Sequence, residues 1–273
     1  MSPTNGDIMT VHRTADIFSR RAALALAGGG AGALLLAACG SGDSTSGASN
    51  SASSTGSASE GSGGAGSTAA AGSSPSAASA STETNPGSLR VIVNKMRPFS
   101  PKEWEPENLV DFEGHQLRAE AAEAAKKMMR AAKREGVELT VSSAYRSYAV
   151  QQQTYQHWVE VNGKQKADTL SARPGYSEHQ TGLAIDFGSA QEGCLLEECY
   201  KDTKAGRWLA EHAPEYGYIL RFPQQQQGIT GYIFEPWHYR YLGVELAKEY
   251  TASGAGTLEE FFGTGAAPNY EES

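Results

Sequence analysis

The sequence predicts one α+β domain, a single compact unit with a small, mainly antiparallel sheet flanked by helices, preceded by a signal peptide and a disordered linker. Two observations carry this. Residues 41 to about 88 are almost wholly Ser, Gly, Ala and Thr with no aromatic residue, whereas Trp104, Trp158, Trp208 and Trp237, the four Trp of the chain, all lie beyond Leu89. A segment of the first kind cannot bury enough apolar surface to offset its ordering entropy, so the core must form from the residues that follow. There the apolar spacing changes between two and three-to-four without regular strand–helix–strand alternation, which argues against a parallel sheet.

Taken in order, Val91–Lys95 reads as a short strand ended by the turn-prone Arg97-Pro98-Phe99-Ser100-Pro101. From about Gly114 to Glu135 apolar positions recur at three and four (Leu117, Ala121, Ala124, Ala125, Met128, Ala131, Ala132), predicting an amphipathic helix that Gly136 terminates. Val137–Val141 alternates as a strand, and a helix runs from Tyr148 to about Val161, closed by Asn162-Gly163. Gly182–Phe187 is a strand with Leu183, Ile185 and Phe187 on one face and Ala184 and Asp186 on the other. A short helix, Ala205–His212, ends before Pro214; strands at Tyr218–Phe222 and Gly231–Phe234 flank the polar loop Pro223–Thr230. Helices near Val244–Tyr250 and Thr257–Phe262 close the domain, assigned to residues 89–263, and 264–273 form a tail.

Net charge is −8; residues 1–38 carry +1 and 39–88 carry −3, leaving −6 on the domain. An acidic domain has no basic stripe with which to meet phosphates, so nucleic acid is excluded as a partner. Residues 1–38 join Ser19-Arg20-Arg21 to an apolar run, Ala22–Ala38, that stops at Leu36-Ala37-Ala38-Cys39-Gly40, the pattern of a secretory signal. Seventeen apolar-run residues with four Gly are short and weakly apolar for a membrane span.

The Leu-Ala-Ala-Cys ending resembles the lipobox of bacterial lipoproteins, which implies that Cys39 is the lipidated first residue of a linker, 39–88. The chain would then be anchored on the outer face of the cytoplasmic membrane and face the cell wall. The paired arginines resemble a twin-arginine export signal, although Ala23 stands where an aromatic residue is usual, which leaves the general secretory route open. In an exported chain Cys194 and Cys199 are expected to close a small disulfide loop just after the Asp186 strand.

The chemistry gathers in Ser177-Glu178-His179-Gln180-Thr181-Gly182-Leu183-Ala184-Ile185-Asp186 and, some fifty residues on, Glu235-Pro236-Trp237-His238. Two imidazoles and two carboxylates are the set zinc hydrolysis needs: three ligands, an open position for water, and a further carboxylate to handle protons. His179 and Asp186 are seven apart, so one straight strand would set them on opposite faces; a turn or bulge at Gly182 would let His179 come from a loop. Asp186 among apolar neighbours needs a partner, and a metal ion is one. Glu235 is pushed towards an extended conformation by Pro236, and His238 is expected at the edge of the preceding strand. Spacing leaves open whether Asp186 or Glu235 is the third ligand. Glu178 is expected to point to solvent.

The Ser-x-His…Asp and Glu-x-Trp-His segments closely resemble the VanY-type D-alanyl-D-alanine carboxypeptidases, zinc peptidases grouped with lysostaphin-like enzymes and the hedgehog signalling domain. Val93-Asn94-Lys95, Ser143-Ala144-Tyr145-Arg146-Ser147, Gln151, Leu220-Arg221-Phe222-Pro223 and Thr230-Gly231-Tyr232 extend the resemblance over about Val91 to Phe262. It implies one zinc ion per domain held by His179, Asp186 and His238, with Glu235 as general base. It also implies a substrate pocket lined by Arg146, Gln151 and Ser177, with Tyr145, Tyr148 and Trp237 as walls; the Arg146 fork suits a terminal carboxylate. This sequence has Ala144 where the family commonly has Gly, and Phe222 where it often has Tyr, which removes a hydroxyl near the expected cleft. The implied substrate is a peptidoglycan stem peptide ending in D-Ala-D-Ala, cleaved by a monomer. An L,D-carboxypeptidase or wall endopeptidase of the same fold, or a non-catalytic zinc-holding wall-binding lipoprotein, are the alternatives. Glu235 and Arg146 together speak against the last, since holding zinc requires neither.

Overall fold

The computed structural model describes residues 83–189 and 193–271. The expected signal sequence, Cys39 and nearly all of the tether lie outside the described residues. The first regular element is a hairpin of β1 (Leu109–Phe112) and β2 (His115–Arg118). Its two turn residues, Glu113 and Gly114, have φ of 49° and 80°, the two successive positive values of the turn type whose twist matches a hairpin. The helix expected from Gly114 therefore starts only at Ala119, as α1 (Ala119–Arg134). Leu117 fits the helical spacing, but the turn commits it to β2 opposite Val110.

The strand expected at Val91–Lys95 is absent. Asn94 and Arg97 exchange backbone hydrogen bonds of 3.2 and 3.1 Å and fold the run into a tight turn, while Val91 and Val93 still bury their side chains against Phe99. Next come β3 (Thr140–Ser143), slightly later than expected, and α2 (Tyr148–Asn162), whose first turn is capped by Ser147 Oγ accepting from Val150 N. A helix not anticipated from the sequence, α3 (Lys164–Leu170), follows Gly163 directly. After a 3-10 turn at Glu178–Thr181 the chain enters β4 (Ala184–Gly188). The loop beyond β4 carries a Cys194–Cys199 disulfide, with an S–S distance of 2.13 Å. A second 3-10 turn, α4 (Lys204–His212) and a third 3-10 turn that begins with Ala213-Pro214 lead to β5 (Tyr218–Leu220).

The strand expected at Gly231–Phe234 does not form. Residues 227–230 make the single turn α5 (Gln227–Thr230), which ends at Gly231 with φ 81°. The strand is instead β6 (His238–Tyr241), beginning after Pro236, which has no N–H to give to a ladder. Helices α6 (Val244–Ser253) and α7 (Leu258–Phe261) complete the element order. Residues of the expected tail lie against the domain: Ala267 N donates to Ile229 O at 2.7 Å, and buried Lys95 Nζ donates to Gly231 O and Pro268 O.

The four-stranded sheet has the order β3-β4-β6-β5 and is antiparallel throughout. Alternation along the strands divides its two faces. Ile185, Phe187, Tyr218 and Tyr239 join Ala121, Ala125 and Met128 of α1 in the main core. The small alanines let α1 lie close to the sheet, where Tyr218 Oη donates to Ala121 O at 2.8 Å. The other face presents Asp186, His238 and Arg240, with Ile219 feeding a smaller cluster formed with α6 and α7. Among the described residues no helix is long and apolar enough to cross a membrane.

Candidate metal centre

β4 and β6 are neighbours, and their register sets Asp186 directly opposite His238. Directly opposed residues of an antiparallel pair point to the same face, so strand pairing alone brings these two side chains together. His238 is thus the first residue of a central strand, not a residue beyond the edge of an earlier one. His179 arrives from the 3-10 turn before β4. Gly182 between them is left-handed at φ 68°, and a Cβ there would stand 3.0 Å from side-chain carbons of Arg118 and Leu109. Only glycine accepts that turn without strain.

The ligating atoms of His179, Asp186 and His238 lie within 4.8 Å of one another, and the three residues are 1%, 5% and 5% exposed. His179 Nε2 is 3.2 Å from Asp186 Oδ2, and His238 Nδ1 is 3.4 Å from Asp186 Oδ1. His179 Nδ1–H donates to the Ala144 carbonyl at 2.6 Å, leaving the Nε2 lone pair directed into the site. His179 Nε2 and Asp186 Oδ1 are buried and make no hydrogen bond among the described residues. Two imidazole nitrogens and a carboxylate oxygen converging in a buried site, with His179 Nε2 and Asp186 Oδ1 lacking other partners among the described residues, fit a catalytic zinc site. Glu235 Oε2 stands 3.3 Å from His238 Nδ1, beside the three. Phe222 packs edge-on against the His238 ring, with centroids 4.7 Å apart.

The electrostatics of the metal-free site are those of a place built for a cation. Burial alone would lower the His238 imidazole, but Glu178, Glu235 and Asp186 outweigh it and push the group up to about 9. Burial and the Arg146 charge bring His179 down to about 4. Asp186 is held at about 2 because His179, His238 and Arg146 overcome the effect of burial. Burial raises Glu235 above the ordinary carboxylate value. A ligating imidazole must be neutral, so metal uptake has to displace the His238 proton. Below about pH 9, uptake should release about one proton from His238, and this release should fade as the pH rises through that value. Titration calorimetry in buffers of different ionisation enthalpy measures it.

Glu178 is not at the surface. It is 4% exposed, and its Oε1 accepts from Arg221 Nε at 2.8 Å and from Arg240 Nη1 at 2.9 Å. Burial would raise its carboxyl, but the two guanidiniums hold it well below the usual carboxylate range. The missed signal was an Arg inside each of two apolar strand patterns, Ile219-Leu220-Arg221-Phe222 and Tyr239-Arg240-Tyr241. A guanidinium buried in this way requires an acid nearby.

The residues expected to line the substrate pocket are placed as follows. Arg146 is partly buried in the loop between β3 and α2, its backbone N–H donating to His179 O and its Nε without a hydrogen-bond partner among the described residues. Burial lowers its guanidinium below the ordinary value, and the charges of Asp186 and Glu235 only partly oppose this. Gln151 is fully buried; its Nε2 donates to Ser171 Oγ and Ala172 O, while Oε1 has no partner among the described residues. Ser177 is buried immediately before the 3-10 turn. Burial, with Glu105 beside it, pushes the Tyr145 phenol up to about 12. Trp237 is 8% exposed and packs in the main core.

Residues 114–244 match the family described as VanY, D-alanyl-D-alanine carboxypeptidase. The chain is 34% identical over 176 residues to the bifunctional D-Ala-D-Ala dipeptidase and D-Ala-D-Ala carboxypeptidase VanXYC of Enterococcus gallinarum, covering 62% of this chain and 91% of that protein. The chain belongs to the VanY family. Among solved structures, this VanY-family chain is similar to the LD-carboxypeptidase LdcB, with 40% identity, 67% of this chain and 89% of that chain covered, and a TM-score of 0.61. It is also similar to a mutant of the vancomycin-resistance D,D-pentapeptidase VanY from a VanB-type cassette in complex with Zn(II): 32% identity, 64% and 98% coverage, and a TM-score of 0.55. The family is one of carboxypeptidases, and both D,D and L,D enzymes stand among its neighbours.

Proposed function

We propose that this chain is a zinc-dependent D-alanyl-D-alanine carboxypeptidase that removes the terminal D-Ala from peptidoglycan stem peptides, delivered to the wall side of the membrane by lipidated Cys39. The convergence of His179, Asp186 and His238, with Glu235 held 3.3 Å from His238, carries this reading. One zinc ion, bound by the first three, would supply Lewis acidity for the attacking water and the scissile carbonyl. Glu235 takes the proton of that water and returns it to the leaving amine; burial keeps its basicity above that of a surface carboxylate. Arg146 meets the substrate's free carboxylate, and Gln151 Oε1, without a partner among the described residues, offers an acceptor for a backbone or ammonium N–H. A second reading, an L,D-carboxypeptidase, draws on the 40% identity to LdcB.

The deciding assay measures D-alanine released by the full chain from a pentapeptide ending in D-Ala-D-Ala and from the corresponding tetrapeptide, with zinc and with chelator. Zinc-dependent release from the pentapeptide supports the D,D reading, release confined to the tetrapeptide moves the assignment to the L,D one, and silence from folded, zinc-loaded protein on both overturns the enzymatic proposal. In the same assay Arg146→Ala should cost about 30-fold in kcat/KM, on the order of 2 kcal/mol for a hydrogen bond to a charged group. A substrate amidated at its C-terminus should be equally poor for both proteins.

A further inference from the structure

Glu178 has no step in that hydrolysis, yet strand alternation places it against the metal centre. His238 and Arg240 are two apart on β6, and so share the sheet face that bears Asp186. Glu178 lies over that face. Its Oε1 is engaged by Arg221 and Arg240 at 2.8 and 2.9 Å. Arg221 is itself fixed from the far side by a two-pronged pair with Glu259, at 2.9 and 2.7 Å, and Glu259 accepts from Asn94 Nδ2 at 3.0 Å. The carboxylate is therefore held in one orientation. Its other oxygen, Oε2, is buried without a hydrogen-bond partner among the described residues, and so is His238 Nε2, 3.8 Å away. A donor and an acceptor that face each other in a dry interior, each lacking another partner, are costly unless they pair.

We propose that Glu178 is a positioning residue of the metal centre: its Oε2 accepts Nε2–H of His238, fixing the tautomer in which Nδ1 turns its lone pair towards the ion. The inference rests on His179, Asp186 and His238 being the zinc ligands. A carboxylate behind a ligating imidazole sets the ring's orientation and raises its basicity, and its loss typically weakens metal binding by about 10–100-fold. The competing role is purely structural, with Glu178 present only to neutralise two buried guanidiniums.

The test compares Glu178→Gln with Glu259→Gln in the full chain. In Glu178→Gln the amide oxygen can keep the arginines, but the NH2 group then faces Nε2, donor against donor, and favours the tautomer with hydrogen on Nδ1. Glu259→Gln loosens the same arginine network without touching His238. Zinc affinity is read by chelator competition, the Tm of each metal-free protein by thermal unfolding, and the His238 tautomer from its ring 15N shifts in the zinc-loaded protein. Glu178→Gln should bind zinc about 10–100-fold more weakly, whereas Glu259→Gln should stay within about threefold of the unsubstituted protein even if its Tm falls as far. Unchanged affinity in Glu178→Gln, or equal losses in both variants, overturns the proposal. Should Glu178→Gln fail to fold, Glu178→Asp keeps the charge between the arginines while drawing it back from His238. A loss of about tenfold is then expected, and unsubstituted affinity overturns the idea. If the unsubstituted chain itself holds no zinc, the metal-centre reading fails first and this one falls with it.

Discussion

Glu235→Gln should lower kcat by roughly 10²–10⁴-fold, the usual contribution of a positioned general base, while zinc affinity stays within a few-fold of the unsubstituted protein. The two halves of that result separate roles that sequence spacing leaves open. Glu235 and Asp186 are both buried and both within 3.4 Å of His238 Nδ1, so proximity to one imidazole does not distinguish base from ligand. Their surroundings do. Asp186 lies between both imidazoles and is held at about 2, a carboxylate kept ionised and ready to ligate. Glu235 touches only His238 of the pair, and its carboxyl is raised by burial, which suits a group that must gain and lose a proton in each turnover. Gln has the same shape but cannot take the proton. Activity within tenfold of normal would remove Glu235 from the proton-transfer role, and collapse of zinc affinity would make it a ligand. The acid limb of kcat/KM that Glu235 sets should be absent from the residual activity.

The constellation could be read from the sequence because it rests on short-range constraints. Gly182 marks the turn that separates His179 from Asp186, and Pro236 marks the irregular approach to His238. What could not be read depends on pairing between distant segments. The β1–β2 hairpin was hidden because Leu117 falls at a helical spacing from Ala121, and only the two positive φ values at Glu113-Gly114 reveal the turn. β6 was hidden because His238–Tyr241 interleaves charged and aromatic residues, and its Arg240 looks solvent-facing until Glu178 is brought over it. Glu178 is expected at the surface because hydrolysis gives a third carboxylate no role, and its neighbours in sequence give no hint of two arginines 43 and 62 positions away. Local pattern set the turns, while the charge partners were set by the register of β4, β5 and β6.

Removing the metal should abolish hydrolysis and also soften the fold, because the site gathers three carboxylates and two imidazoles with little water to screen them. A ligand bound only by the folded state, at about 1,000 times its Kd, adds roughly 4 kcal/mol of stability. For a domain of this size that corresponds to a rise in Tm of about 8–16 °C between metal-free and zinc-saturated protein. His238→Ala should lose this zinc-dependent rise, since it removes a ligand at the start of a central strand. It should also unfold below the metal-free parent, because Asp186, Glu235 and Glu178 would then face one another without the imidazole between them. A zinc-dependent rise that survives His238→Ala undiminished would mean that the stabilising ion sits elsewhere. A parent whose Tm is indifferent to both zinc and chelator would mean that the three residues do not hold one. The two measurements separate a metal that the fold merely tolerates from one that the β4–β6 register was built around.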